Sequence, residues 1–199
     1  MKKGFLAVVA SALIGFVLVG DVQAAYGYNL FGYTLNGGVG SYGNAKRYYF
    51  VDSSASGSSS VIDTGMSEWV NSTARTGVTT SVSYRSTTTQ SSSVMDWYAG
   101  NYYDASQGVI AETEFWIYST KVAPTAQNWG WNKEKINSVT YSPLSDWDER
   151  GSVAHEIGHA FGLAHSNSNP YAIMCQLSNG RQVQSATADD LNGVNALYH

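Results

Sequence analysis

Residues 153–165 read VAHEIGHAFGLAH and hold three of the chain's four histidines within eleven positions. His155 and His159 stand at i and i+4, so on an α-helix both imidazoles leave one face about 6 Å apart along the axis. Two neutral imidazoles so placed can share one tetrahedral zinc at about 2.0–2.1 Å each. Glu156 is rotated about 100° from His155, which keeps its carboxylate off the metal and aims it at a water there. A third ligand needs the chain to turn back. Gly162, three residues past His159, can take a positive φ and end the helix, after which Leu163 and Ala164 return His165 to the metal. Three histidines and a water give four-coordination with one exchangeable position, the arrangement of a catalytic zinc. A bare HExxH arises by chance in about one such sequence in several hundred; adding Gly162 and His165 lowers that to about one in 10⁵.

The rest of the chain sets the context for that site. Its 199 residues are enough for one domain with a core. Charged residues make up only 13% and the net charge is −4, so no basic face meets phosphates and nucleic acid is excluded as a partner. The opening MKKGFLAVVASALIGFVLVGDVQA has Lys2 and Lys3, an apolar run from Gly4 to Gly20, and small residues at Val22 and Ala24. That is the pattern of a secretory signal cleaved before Ala25. The mature chain, 25–199, is expected outside the cell, monomeric and free of the membrane. A single cysteine, Cys175, allows no internal disulfide and reads as a buried small hydrophobe.

Local patterns outline an α+β chain. KRYYFV at 46–51 and GVIAETEFWIYS at 108–119 read as strands, and GVTTSVSY at 77–84 alternates like one. Residues 61–74 put Val61, Ile62, Gly65, Met66, Trp69 and Val70 on one helical face. A long connection is expected from about 120 to 147, then a helix from about Glu149 to Phe161. A last helix starts at Thr187 as N-cap with Asp190 at N3, turning Leu191, Val194, Leu197 and Tyr198 inward. The Ser-rich stretches 53–60 and 85–93 read as loops.

HEIGHAFGLAH is the extended HExxHxxGxxH motif, and the sequence resembles the metzincin metalloproteases, most closely the matrixins of secreted bacterial type. Ser166 follows the third histidine, Met174 falls where the family places its Met-turn, and ADDLNGVNALYH at 188–199 resembles the terminal helix. The resemblance implies a twisted, mostly parallel sheet with an antiparallel edge strand and three helices. It also implies a zinc cleft between a larger N-terminal and a small C-terminal subdomain. It implies peptide-bond hydrolysis of extended protein substrates, with Glu156 as general base and then acid. The strand around 109–117 becomes the docking edge, and the residues after Met174 a pocket wall.

Three departures are informative. No histidine precedes 155, so one zinc is expected rather than two. No cysteine precedes 175, so latency through a pro-segment thiol is not expected. Gln176 replaces the tyrosine with which some metzincins add a further ligand. Calcium stays open, with Asp96, Asp104 and the carboxylates of 146–149 as available oxygens. In matrixins one of the pair matching Asp189 and Asp190 can anchor the processed N-terminus. The competing reading is a zinc-holding binding or toxin-like module that cleaves little or nothing, and an intact Glu156 speaks against it.

Overall fold

The computed structural model describes residues 27–40 and 47–198. The expected signal segment, 1–24, and its expected cleavage point therefore lie outside the described residues. Among the described residues, and against the three helices expected, five α-helices, two of them single turns of four residues, and eight strands follow in order. They are β1 (Asn29–Leu30), β2 (Arg47–Val51), α1 (Ser59–Val70), α2 (Thr73–Thr76), β3 (Tyr84–Thr87), β4 (Met95–Gly100), β5 (Ala111–Ile117) and β6 (Thr120–Val122). Then come β7 (Trp131–Asn137), α3 (Ser138–Tyr141), α4 (Asp146–Ala160), β8 (Leu163–Ala164) and α5 (Ala188–Leu197). Among the described residues, no helix is long and apolar enough to cross a membrane.

The architecture is α+β around one six-stranded sheet in the order β3-β2-β4-β7-β5-β6. β3, β2, β4 and β7 run parallel, and β5 runs antiparallel to β7. The antiparallel strand is not outermost as expected: β6 hairpins back onto it, pairing only Phe115–Ile117. The stretch Ala111–Glu114 is thus bonded to β7 on one side and, among the described residues, has no ladder partner on the other. β1 pairs separately with β8.

Four sequence expectations are corrected, one of them the reading of 53–60 and 85–93 as loops: Ser53–Ser58 is a 3-10 helix leading into α1 at Ser59, and β3 takes in 85–87. The connection 120–147 contains β6, β7 and α3, and β7 is a central strand. Its inward positions carry Asn132, Glu134 and Ile136, so polar residues break the apolar alternation that would have marked it. The segment 77–83 does not join the sheet; only Tyr84–Thr87 does. The first helix spans Ser59–Val70 and breaks at Asn71, with α2 as a separate turn ending at Gly77.

α4 runs through the middle of the molecule. Every residue from Gly151 to Ala160 is buried, as expected for a helix covered on all sides rather than one lying on a surface. Ser145 caps it by accepting from Asp148 N–H, and Asp146, Asp148 and Glu149 complement the dipole of its first turn. α1 crosses it closely, and Trp69 Nε1 donates to the Ala154 carbonyl at 3.0 Å. The other flank packs against β5, which brings the histidine-bearing turns up to the half-paired strand.

Candidate metal centre

The helix stops where the sequence puts a glycine. α4 ends at Ala160, Phe161 caps it, and Gly162 has φ +99°. A Cβ at Gly162 would lie 2.7 Å from Leu197 Cδ1 and 3.2 Å from the Tyr33 carbonyl, so conformation and space both require glycine. The turned chain pairs β8 with β1, and Asn29 Nδ2 donates to the His165 carbonyl at 2.8 Å.

The three imidazoles converge. Ring centroids are 4.6, 4.7 and 5.1 Å apart, and all ligating atoms lie within 4.8 Å of one another. His155 Nδ1 meets the Ile173 carbonyl at 2.7 Å, and His159 Nδ1 meets the Leu163 carbonyl at 2.8 Å. Carbonyls only accept, so both Nδ1 atoms carry hydrogen and both Nε2 atoms present lone pairs. His159 Nε2 stands 3.1 Å from His165 Nε2. Two ligands of one tetrahedral zinc stand about 3.3 Å apart, given bonds of 2.0–2.1 Å. Burial, together with the neighbouring imidazole, holds His155 well below the ordinary histidine range and pushes His159 to about 3. Burial lowers His165 as well. All three are neutral, the form that binds metal. The donor set and spacing fit one zinc ion, held by His155, His159 and His165.

Met174 packs against the helical turn that carries two of the three histidines. A Cβ at Gly158 would come within 2.3 Å of Met174 Sδ, so the thioether fills the space under the turn between His155 and His159. Its segment is tied down by Asp190, whose Oδ2 accepts from Ile173 N–H at 3.0 Å and Oδ1 from Met174 N–H at 3.4 Å. The same carboxylate takes Thr187 N–H and Oγ–H. Both Asp190 oxygens are thus engaged inside the chain, while among the described residues Asp189 Oδ2 is buried without a partner. Residues 25 and 26, which an N-terminal anchor would involve, lie outside the described residues. Gln176 borders the cleft, its backbone N–H donating to Asn167 Oδ1 and its Oε1 accepting from Asn167 Nδ2. Asp96 accepts from Gln90, and Asp104 caps the turn 105–107. Among the described residues, neither belongs to a converging ligand group.

Glu156 lines the same cleft as the triad, of about 600 Å³, together with Val109–Thr113 and Gln176–Ser178. Burial pushes its carboxyl up to about 7, against the opposing hydrogen bond from Thr113. That bond belongs to an arrangement the sequence did not suggest. Thr113 Oγ1 is 2.7 Å from Glu156 Oε2, 3.1 Å from the Glu156 carbonyl and 2.6 Å from Glu134 Oε2. Thr113 and Glu134 are direct register partners on β5 and β7. A hydroxyl has one hydrogen, and here it faces three acceptors. Glu134 is fully buried with Oε1 unpartnered, and burial and the Glu156 charge hold its carboxyl well above the usual range. A protonated Glu134 resolves the conflict: it donates to Thr113, which donates to Glu156. The one signal for it in the sequence is an acid at an inward strand position.

A pH prediction follows. The folded chain keeps a proton on Glu134 that the unfolded chain releases near pH 4.3. That contribution is complete below the unfolded value and is lost as pH rises through the folded one. In EDTA, the wild-type Tm should fall more steeply between about pH 5 and 8 than that of Glu134→Gln, which has no proton to lose. Parallel slopes in the two proteins would refute the protonated state.

Comparison with known proteins places this geometry. A family model for matrixin matches residues 78–199, covering β3 to the end of α5 and so the whole histidine site. The chain belongs to the matrixin family. Matrixins are zinc-dependent metallopeptidases, which agrees with the triad. Over 51 residues the chain is 41% identical to a matrix metalloproteinase-like protein of Spodoptera frugiperda ascovirus 1a. That stretch spans 24% of this chain and 13% of the viral protein. Among solved structures, a chain of the GM1-bound form of the ECX AB5 holotoxin superposes with a TM-score of 0.47 at 17% identity. The superposition covers 85% of this matrixin and 86% of that chain.

Proposed function

We propose that the chain is an exported zinc endopeptidase that hydrolyses extended protein substrates, with Glu156 as its proton-transfer group. The observation that carries this is one cleft holding three converged neutral imidazoles, a buried carboxylate and a strand edge without a ladder partner. Zinc at the triad would supply Lewis acidity and a water acidified towards pKa about 7. Glu156, held by Thr113, takes the proton of the attacking water and delivers it to the leaving amine. Ala111–Glu114 receives the peptide as an added strand, aligning the scissile bond along the cleft and reading alternate side chains. The N-terminal sheet and the small segment after Gly162 form the two walls. Residues 1–24 act as a leader, and the mature 25–199 is one monomeric domain.

The test is the purified secreted chain, assayed on casein, gelatin and an unbiased peptide library. N-terminal sequencing should begin at Ala25 and metal analysis should give about one zinc per chain. A chelator should abolish cleavage and added zinc restore it. Stoichiometric zinc with no cleavage of any substrate would overturn the endopeptidase reading.

A further inference from the structure

Beyond the histidines, the cleft ends on a buried guanidinium. Arg181 is only 4% exposed, yet it lines the cleft with Ser152, Glu156, Gln176, Leu177 and Ser178. Arginine carries five N–H donors and does not shed its charge. Here those donors are almost unused. Among the described residues its one hydrogen bond is a long one, Nη2 to Ser152 Oγ at 3.4 Å, and Nε has no acceptor. None of the ion pairs among these residues includes it. A buried, unpaired cation is costly and calls for a counter-charge.

The chain's own acids do not meet that need. Asp148 and Glu156 are the carboxylates whose charge Arg181 feels. Asp148 accepts from Ser145 at the start of α4, and Glu156 is held by Thr113. The helix nevertheless makes room for the guanidinium. A Cβ at Gly151 would stand 2.7 Å from Nη2 and 3.1 Å from both Cζ and Nε, so any other residue there would displace it. Gly151 and Ser152 lie one turn before His155 and Glu156. The cation therefore adjoins the reacting centre, within reach of a side chain flanking the scissile bond.

We propose that Arg181 is the anion-recognising base of a substrate pocket, so that the enzyme selects an aspartate or glutamate at a residue next to the bond it cuts. This rests on the endopeptidase reading. A planar guanidinium meets a carboxylate through two parallel N–H bonds, and no neutral side chain offers both acceptors and charge. Discrimination is strong in such a site because an analogue without the charge leaves the buried donors unpaired.

The experiment uses blocked peptides Ala-Ala-Ala-Xaa-Ala-Ala-Ala with Xaa Asp, Glu, Asn or Leu, in two arms. The first measures kcat/KM and the cut position with the zinc-loaded wild type. The acidic peptides should be cut at a bond flanking Xaa, on the order of tenfold or more faster than Asn or Leu. The second measures their affinity for zinc-loaded Glu156→Ala by calorimetry, which needs no turnover. The acidic preference should appear there too and vanish when Arg181→Gln is added. Where that variant misfolds, the Asp/Asn ratio in the background with arginine decides alone. Cleavage that favours Leu or ignores Xaa overturns the role of Arg181 and leaves the endopeptidase standing. No cleavage, but Arg181-dependent acidic binding, overturns the endopeptidase and supports the pocket. Neither cleavage nor selective binding overturns the pocket as well.

Discussion

Glu156→Ala should lower kcat by about 10²–10⁴ while leaving KM and zinc content nearly unchanged. The expectation separates two roles that adjacent residues play. His155 and Glu156 share a helical turn, yet His155 Nδ1 is fixed by the Ile173 carbonyl and Glu156 by Thr113. Removing the carboxylate leaves the imidazole positions and the substrate edge intact, so binding should persist. Proton transfer in the transition state should not. The Gln variant is the stricter test, because it keeps the volume and the Thr113 contact and loses only the basic oxygen. Steady-state kinetics on one peptide, with metal analysis of the same samples, checks it. A fall in kcat below tenfold in both variants would mean that another group moves the proton.

How far the sequence foretold this depends on where each signal sits. The end of helix α4 and the turn after it could be read because their information is local, an i/i+4 pair and a glycine with one allowed role; its start lies at Asp146 after the Ser145 cap, three residues before the Glu149 expected. α5 was equally clear from Thr187 and Asp190, which form a capping box. The segment 77–83 shows what periodicity reports. Thr80, Val82 and Tyr84 are buried and Thr79 is exposed, as the alternation has it, although Ser83 is buried too. Its backbone partners are scattered, with Ser83 N–H on the Val39 carbonyl and Asn195 Nδ2 on the Thr79 carbonyl. Pattern predicts which side is inside; it does not predict a ladder.

β7 was hidden for the opposite reason. It is fully laddered between β4 and β5, but two of its inward positions are Asn132 and Glu134. Asn132 accepts from Trp129 Nε1, while Glu134 serves Thr113. Polar residues that serve a site erase the hydrophobic signature of the strand that carries them. Beyond an acid at an inward strand position for Glu134, the residues Thr113, Glu134 and Arg181 therefore have no local mark. They belong to the site through sheet register and the path of the chain after Met174, which only the fold supplies.

Chelation of the zinc-loaded protein should lower its Tm by about 8–16 °C. That range follows from about 4 kcal/mol of linkage at a thousandfold excess over Kd and 2–4 °C per kcal/mol in a chain of this size. The physical reason is that the segment from Gly162 to Ala186 carries little regular structure and the chain has no disulfide. Two of the three side chains that hold it also serve the metal. His159 grips the Leu163 carbonyl, His155 the Ile173 carbonyl, and Asp190 the backbone beneath Met174. Without a cation, His159 Nε2 and His165 Nε2, 3.1 Å apart, share at most one N–H···N bond in place of two metal bonds, and that weaker tie loosens the turn. Glu156→Ala should keep the full chelator-dependent shift despite its lost activity. His165→Ala should lose the shift, because the remaining pair of ligands sits on one helix and no longer ties it to the turned chain. Hydrogen exchange should show the amides of Ile173, Met174 and Cys175 losing protection first on chelation. An unchanged Tm with and without chelator, in protein shown to hold zinc, would mean that the segment is fixed by packing alone.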